Sequence, residues 1–125
     1  MSQTTTGSQR RHELRVLGNN NFPVEGADIH FLIDGVPAGF VKSSRGRASI
    51  LIQSGYQQLQ VTASFQGVSE SVFLTPAMSQ ATVVLAIPGA IVKALLPTTP
   101  TCPDGTTNQP CVDCIVNGTP IQICA

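Results

Sequence analysis

The sequence predicts an all-β protein: a seven-stranded antiparallel sandwich followed by a cysteine-rich hairpin. Three observations carry this expectation. Short runs of alternating polar and apolar residues recur through residues 12–87, which is the period-two signature of half-buried strands. Turn signals rich in Gly and Asn separate those runs at close intervals. Val, Ile and Thr are plentiful while helix-forming Glu and Lys are sparse, a bias toward strands.

The elements follow in order. Residues 1–10 are polar and aperiodic and read as a flexible arm. The sandwich is expected over residues 11–88. HELRVL (12–17) alternates and ends at the turn signal GNNN. ADIHFLI (27–33) places Ala27, Ile29, Phe31 and Ile33 on one face, with Asp28 and His30 opposite, and Asp34-Gly35 then turns the chain. AGFVKS (38–43) is a short strand, and SRG (44–46) leads into RASILI (47–52). YQQLQVTASF (56–65) directs Leu59, Val61, Ala63 and Phe65 one way. After Gln66-Gly67, VSESVFL (68–74) directs Val68, Val72 and Leu74 inward. ATVVLAI (81–87) closes the series before Pro88-Gly89. Residues 89–101 comprise the apolar segment AIVKALL (90–96) and the linker PTTPT. Ile91, Val92, Leu95 and Leu96 are candidate partner contacts, because exposed apolar patches tend to mark interaction sites. Residues 102–125 hold all four cysteines and form the expected hairpin tail.

With 125 residues and 42% hydrophobic content the chain can bury a core, and its 11% charged residues fall well below the roughly 25% of an average soluble domain. Seven basic residues balance seven acidic ones, so no net field points to nucleic acid or an anionic membrane. No run approaches the roughly 18 apolar residues of a spanning helix. The opening MSQTTTGSQRRHEL has no apolar signal-peptide segment, which suits a cytoplasmic protein. The clustered cysteines instead suit an oxidised, extracellular or virion-associated one. A processed N-terminus, secretion without a cleaved signal, or a viral structural role would reconcile the two.

FPVEGADIHF (22–31) resembles the opening of the carboxypeptidase regulatory-like domains, with Pro23, Val24, Gly26, Ala27 and Ile29 in the pattern positions. KSSRGRASI (42–50) is similar to that family's polar turn with Gly, and YQQLQVTASFQG (56–67) to its strand leading to an aromatic and Gly. The resemblance covers residues 12–87. It implies a transthyretin-like or immunoglobulin-like sandwich serving as a non-catalytic accessory module. Ser43 and Ser44 stand where the family usually carries Asp or Asn, which argues against an ion bound at that turn.

Catalytic chemistry is poorly supplied. His12 and His30 are the only histidines, and both read as surface residues because neither sits in a recognisable nucleophile–base spacing. Glu13, Glu25, Asp28, Asp34 and Glu70 are scattered over strand ends, so no carboxylate pair of glycosidase type arises. Lys42, Arg45 and Arg47 cluster around one turn; such a cluster suits a phosphate or an acidic partner, but a solvated turn is the simpler reading. Asn117-Gly118-Thr119 is a formal glycosylation sequon, and Pro120 directly after it works against its use.

Asn117-Gly118 is better explained as the tip of a type I′ hairpin. From that tip Ile115 falls opposite Pro120, and Cys111 opposite Cys124, both at non-hydrogen-bonded positions where Cα atoms come closest. Cys114 then points to the other face, together with Val112, Val116, Ile121 and Ile123, and Cys102 is its available partner. Two disulfides, Cys111–Cys124 and Cys102–Cys114, are the expectation. A four-cysteine zinc site, a redox pair at Cys-Val-Asp-Cys and free thiols stand as alternatives. A hairpin of this size is marginal alone, so its apolar face lies either on the sandwich or on another subunit, making Val112, Val116, Ile121 and Ile123 further candidate partner contacts. The expected function is a non-catalytic structural or protein-binding module. Its partner is protein, through self-association or a larger assembly, and no cofactor is expected. A cytosolic zinc-binding regulatory module and a carbohydrate-binding accessory domain are the rivals. The latter has little aromatic support, with one Tyr and no Trp.

Overall fold

The computed structural model describes residues 9–53, 55–90 and 98–125. These form nine strands and no helix: β1 (Arg10–Leu17), β2 (Asp28–Ile33), β3 (Val36–Lys42), β4 (Arg47–Ile52), β5 (Leu59–Phe65), β6 (Val68–Leu74), β7 (Gln80–Val84), β8 (Cys111–Val116) and β9 (Thr119–Cys124). All seven expected strands are present, within a few residues of their expected ends. Five strands make one sheet in the order β7-β1-β4-β9-β8, and four make the other in the order β3-β2-β5-β6.

Two expectations are corrected. The sheets hold nine strands rather than seven, because β9 pairs antiparallel with β4 through Ser49–Cys124, Ile50–Ile123, Leu51–Gln122 and Ile52–Ile121. The cysteine-rich hairpin is therefore part of the five-stranded sheet and not an appended tail. The pairing is also not wholly antiparallel, since β7 runs parallel to β1. The chain leaves β6 at an edge of the four-stranded sheet and crosses through residues 75–79 to the other sheet. Parallel pairing requires such a crossover rather than a tight hairpin.

Alternation decides which residues are inside. In β2, Ile29, Phe31 and Ile33 are buried, as are Leu59, Val61 and Ala63 in β5 and Leu14 and Val16 in β1. A single buried cluster draws on both sheets and includes Val112, Cys114, Val116, Ile121 and Ile123 of the hairpin. Close approach between the sheets is visible at Gly39 of β3. A Cβ there would lie 2.7 Å from Ile123 Cδ1 and 2.5 Å from the Thr101 carbonyl oxygen. Gly39 also has φ of 123°, a conformation that L side chains rarely adopt. The fold is thus sandwich-like, with the hairpin supplying part of the filling.

Burial in the chain's own core also settles the placement of Val112, Val116, Ile121 and Ile123. Their relative exposures are 1%, 6%, 4% and 0%, so they are packed within the molecule and are not free for a partner. Ile91, Val92, Leu95 and Leu96 lie outside the described residues, as does residues 1–8 of the expected arm. Among the described residues, no helix is long and apolar enough to cross a membrane.

Candidate functional site

The four sulfurs sit where the hairpin register directs them. Asn117 and Gly118 have φ of 50° and 78°, as a type I′ turn requires at both central positions. The ladder then runs Val116–Thr119, Ile115–Pro120, Cys114–Ile121, Asp113–Gln122, Val112–Ile123 and Cys111–Cys124. Cys111 and Cys124 are bonded across it with Cα atoms 4.2 Å apart, close to the ~4.5 Å of a non-hydrogen-bonded pair. Cys102 and Cys114 are bonded on the inward face, with Cα atoms 5.6 Å apart and relative exposures of 3% and 6%. With every cysteine in a disulfide, no thiolate remains to ligate zinc or to act as a redox nucleophile. Residues leading into the hairpin are also tied down. The Thr101 amide donates to the Phe40 carbonyl at 2.9 Å and the Phe40 amide to the Thr101 carbonyl at 3.0 Å, which covers the β3 edge.

Of the two histidines, one contradicts the surface expectation. His12 is fully buried because it shares the inward parity of Leu14 and Val16 on β1. Its Nδ1–H donates to the Met78 carbonyl and its Nε2 accepts from the Tyr56 hydroxyl. Burial pushes the imidazole below its usual value of 6.5, opposed in part by the Met78 carbonyl. Both ring nitrogens are engaged inside the protein, so His12 is a structural pin rather than an exposed base. His30 is exposed and stacks on its cross-strand partner Phe40, with ring centroids 5.1 Å apart.

The carboxylates serve local structure. Asp34 accepts from the Gln57 and Gln58 amides at 3.0 and 2.9 Å. Asp28 pairs with Lys42 at 2.9 Å. Glu25 accepts the Arg45 amide proton through Oε1 at 2.5 Å. Among the described residues, no three His, Cys, Asp or Glu are grouped to hold a metal ion.

The basic turn is arranged differently from the sequence expectation. Lys42 is drawn away to Asp28, and Arg15 of β1 takes its place beside Arg45 and Arg47, because β1 and β4 pair with Arg15 directly opposite Arg47. These three arginines line a surface depression of about 220 Å³ together with Asn21 and Pro23. Sequence reasoning missed Arg15, since only the strand register brings it to the turn.

Ser43 is the second buried polar residue sequence reasoning did not single out for structure. Its hydroxyl donates to the Val24 carbonyl at 2.7 Å and accepts from the Ala27 amide at 2.9 Å. The Pro-Val-x-Gly-Ala stretch (23–27) is thereby fastened to the end of β3. Comparison of the chain with protein-family models, curated proteins and solved structures finds no match.

Proposed function

We propose that this chain is a non-catalytic structural or protein-binding module, of the transthyretin-like kind suggested by its resemblance to carboxypeptidase regulatory-like domains, acting in an extracellular or virion-like assembly. The observation that carries the reading is the pair of disulfides holding the β8–β9 hairpin, one on each face. Such crosslinks persist in oxidising compartments and are rare in the cytosol. They reinforce strands that already belong to the core, which suits a module that must keep its shape outside the cell. The engagement of His12 within the core and the use of Asp28, Asp34 and Glu25 as local hydrogen-bond acceptors favour a structural role over catalysis.

Sedimentation velocity over a wide concentration range, with and without a thiol reductant, tests the proposal. Concentration-dependent association that weakens on reduction is expected. A chain that stays monomeric at its highest soluble concentration and captures no protein partner would count against assembly. Growth of the protein with free thiols in its native compartment would count against the oxidised setting.

A further inference from the structure

Arg15 and Arg47 form an unusual cross-strand pair. They stand directly opposite each other on the exposed face of the β1–β4 ladder, where side chains are about 4.5–5.5 Å apart at Cβ and like charges are destabilising. Neither is neutralised by an ion pair: among the described residues the ion pair present is Lys42–Asp28. Glu13, the acidic residue next along the same face of β1, lies opposite Ser49 and borders an adjoining depression with Arg45 and Arg47.

The third arginine is held in place by the turn. Arg45 has φ of 54°, and its neighbours Ser44 and Arg47 exchange amide-to-carbonyl bonds of 2.9 and 3.0 Å. Glu25 fastens the Arg45 amide through Oε1, and its Oε2 is buried without a hydrogen-bond partner. Gly46 presses onto the loop beneath: a Cβ there would meet Pro23 Cβ at 2.7 Å and the Val16 carbonyl oxygen at 2.8 Å. The backbone that carries Arg45 and Arg47 is therefore set before any ligand arrives, which lowers the cost of binding.

We propose that Arg15, Arg45 and Arg47 form a binding site for a tetrahedral oxyanion, phosphate or sulfate, either free or as a monoester. The planar guanidinium fork matches such oxygens in bidentate fashion, and an anion between Arg15 and Arg47 relieves their repulsion. The depression of about 220 Å³ accommodates the anion with room for a small ester substituent. Lys42 takes no part, being paired with Asp28.

Amide-resolved NMR titration of the whole chain tests the site, using sodium phosphate, sodium sulfate and methyl phosphate at constant ionic strength set with sodium chloride. Saturable shifts centred on residues 15 and 45–47 are expected with the oxyanions. Tighter binding of methyl phosphate than of inorganic phosphate would identify the ester as the preferred form, and the reverse would identify the free ion; either supports the site. Arg15→Gln and Arg47→Gln should each weaken binding about tenfold or more, the loss of a charge-assisted contact worth roughly 1.5–3 kcal/mol. Arg11→Gln, on the same strand but away from the depression, should leave it unchanged. Because Arg15→Gln and Arg47→Gln remove a like-charge pair, both should melt no lower than the parent in chloride. Absence of saturable shifts, equal shifts with chloride, or undiminished affinity in folded Arg47→Gln overturns the proposal.

Discussion

The Tyr56 hydroxyl donates to His12 Nε2 at 2.5 Å, fixing a neutral imidazole whose Nδ1–H is given to the Met78 carbonyl. This pair joins β1 to the connection between β4 and β5 and to the loop that precedes β7. Its titration has a defined sign. Burial holds the His12 pKa below 6.5, so below about pH 6.5 the unfolded chain binds a proton that the folded chain resists, and stability falls as pH falls. Burial raises the Tyr56 pKa above 10, against the opposing charge of Arg10, so stability also falls as pH rises beyond about 10. Urea unfolding between about pH 5 and pH 7.5 should show stability increasing with pH. His12→Gln, which hydrogen-bonds but does not titrate in this range, should flatten that slope; a slope equal to the parent's would place its origin elsewhere.

Ser43→Ala should destabilise by about 1–3 kcal/mol, because the Ala27 amide and Val24 carbonyl lose the hydroxyl that joins them. Chemical denaturation measures the change. A cost near zero would mean that the two backbone groups find other partners, and the role assigned to Ser43 would fail.

The hairpin's membership of the core can be read from a contrast between two isoleucines. Ile123 has no exposed surface and Ile115 is 71% exposed. Ile123→Ala should cost about 2–5 kcal/mol in global unfolding, while Ile115→Ala should change it by less than about 0.5 kcal/mol. If the hairpin were an independent appendage, Ile123→Ala would leave the main unfolding midpoint where it was.

The two disulfides enclose loops of nearly equal length, with sequence separations of 12 and 13. Loop entropy alone therefore assigns each about 3 kcal/mol. Cys102 and Cys114 are buried, however, and Cys111 and Cys124 only partly so. The Cys102→Ala/Cys114→Ala double variant should lose more stability than Cys111→Ala/Cys124→Ala, the excess coming from the inner cavity. Thermal unfolding of the two double variants decides; the opposite order would rule out burial as the distinguishing factor.

Much of this architecture was legible in the sequence because it depends on local periodicity. The alternation in ADIHFLI placed Ile29, Phe31 and Ile33 inside, and Asn117-Gly118 set the register that brings Cys111 opposite Cys124. What stayed hidden depends on distant pairing. Nothing near residues 119–124 names β4 as their neighbour, so the hairpin's inward face could not be assigned to the chain's own core. The parallel contact between β1 and β7 is hidden for the same reason. His12 was accessible to a stricter use of parity, since it falls in step with Leu14 and Val16 while Arg11, Glu13 and Arg15 fall between them. Arg15 entered the basic cluster only through its rung opposite Arg47, a relationship that composition and spacing do not encode.

The placement of β9 between β4 and β8 has a consequence for the order of synthesis. β4 ends at Ile52, but the strand that covers its second edge begins only at Thr119 and so leaves the ribosome well after it. Until then Ile50 and Ile52 border an open ladder, and the core lacks the side chains that β8 and β9 contribute. Long-range pairings of this kind slow folding and leave an unpaired edge available to other chains. During translation this protein must keep a half-built sheet from meeting its neighbours, and the interval lasts until Thr119–Cys124 have been made.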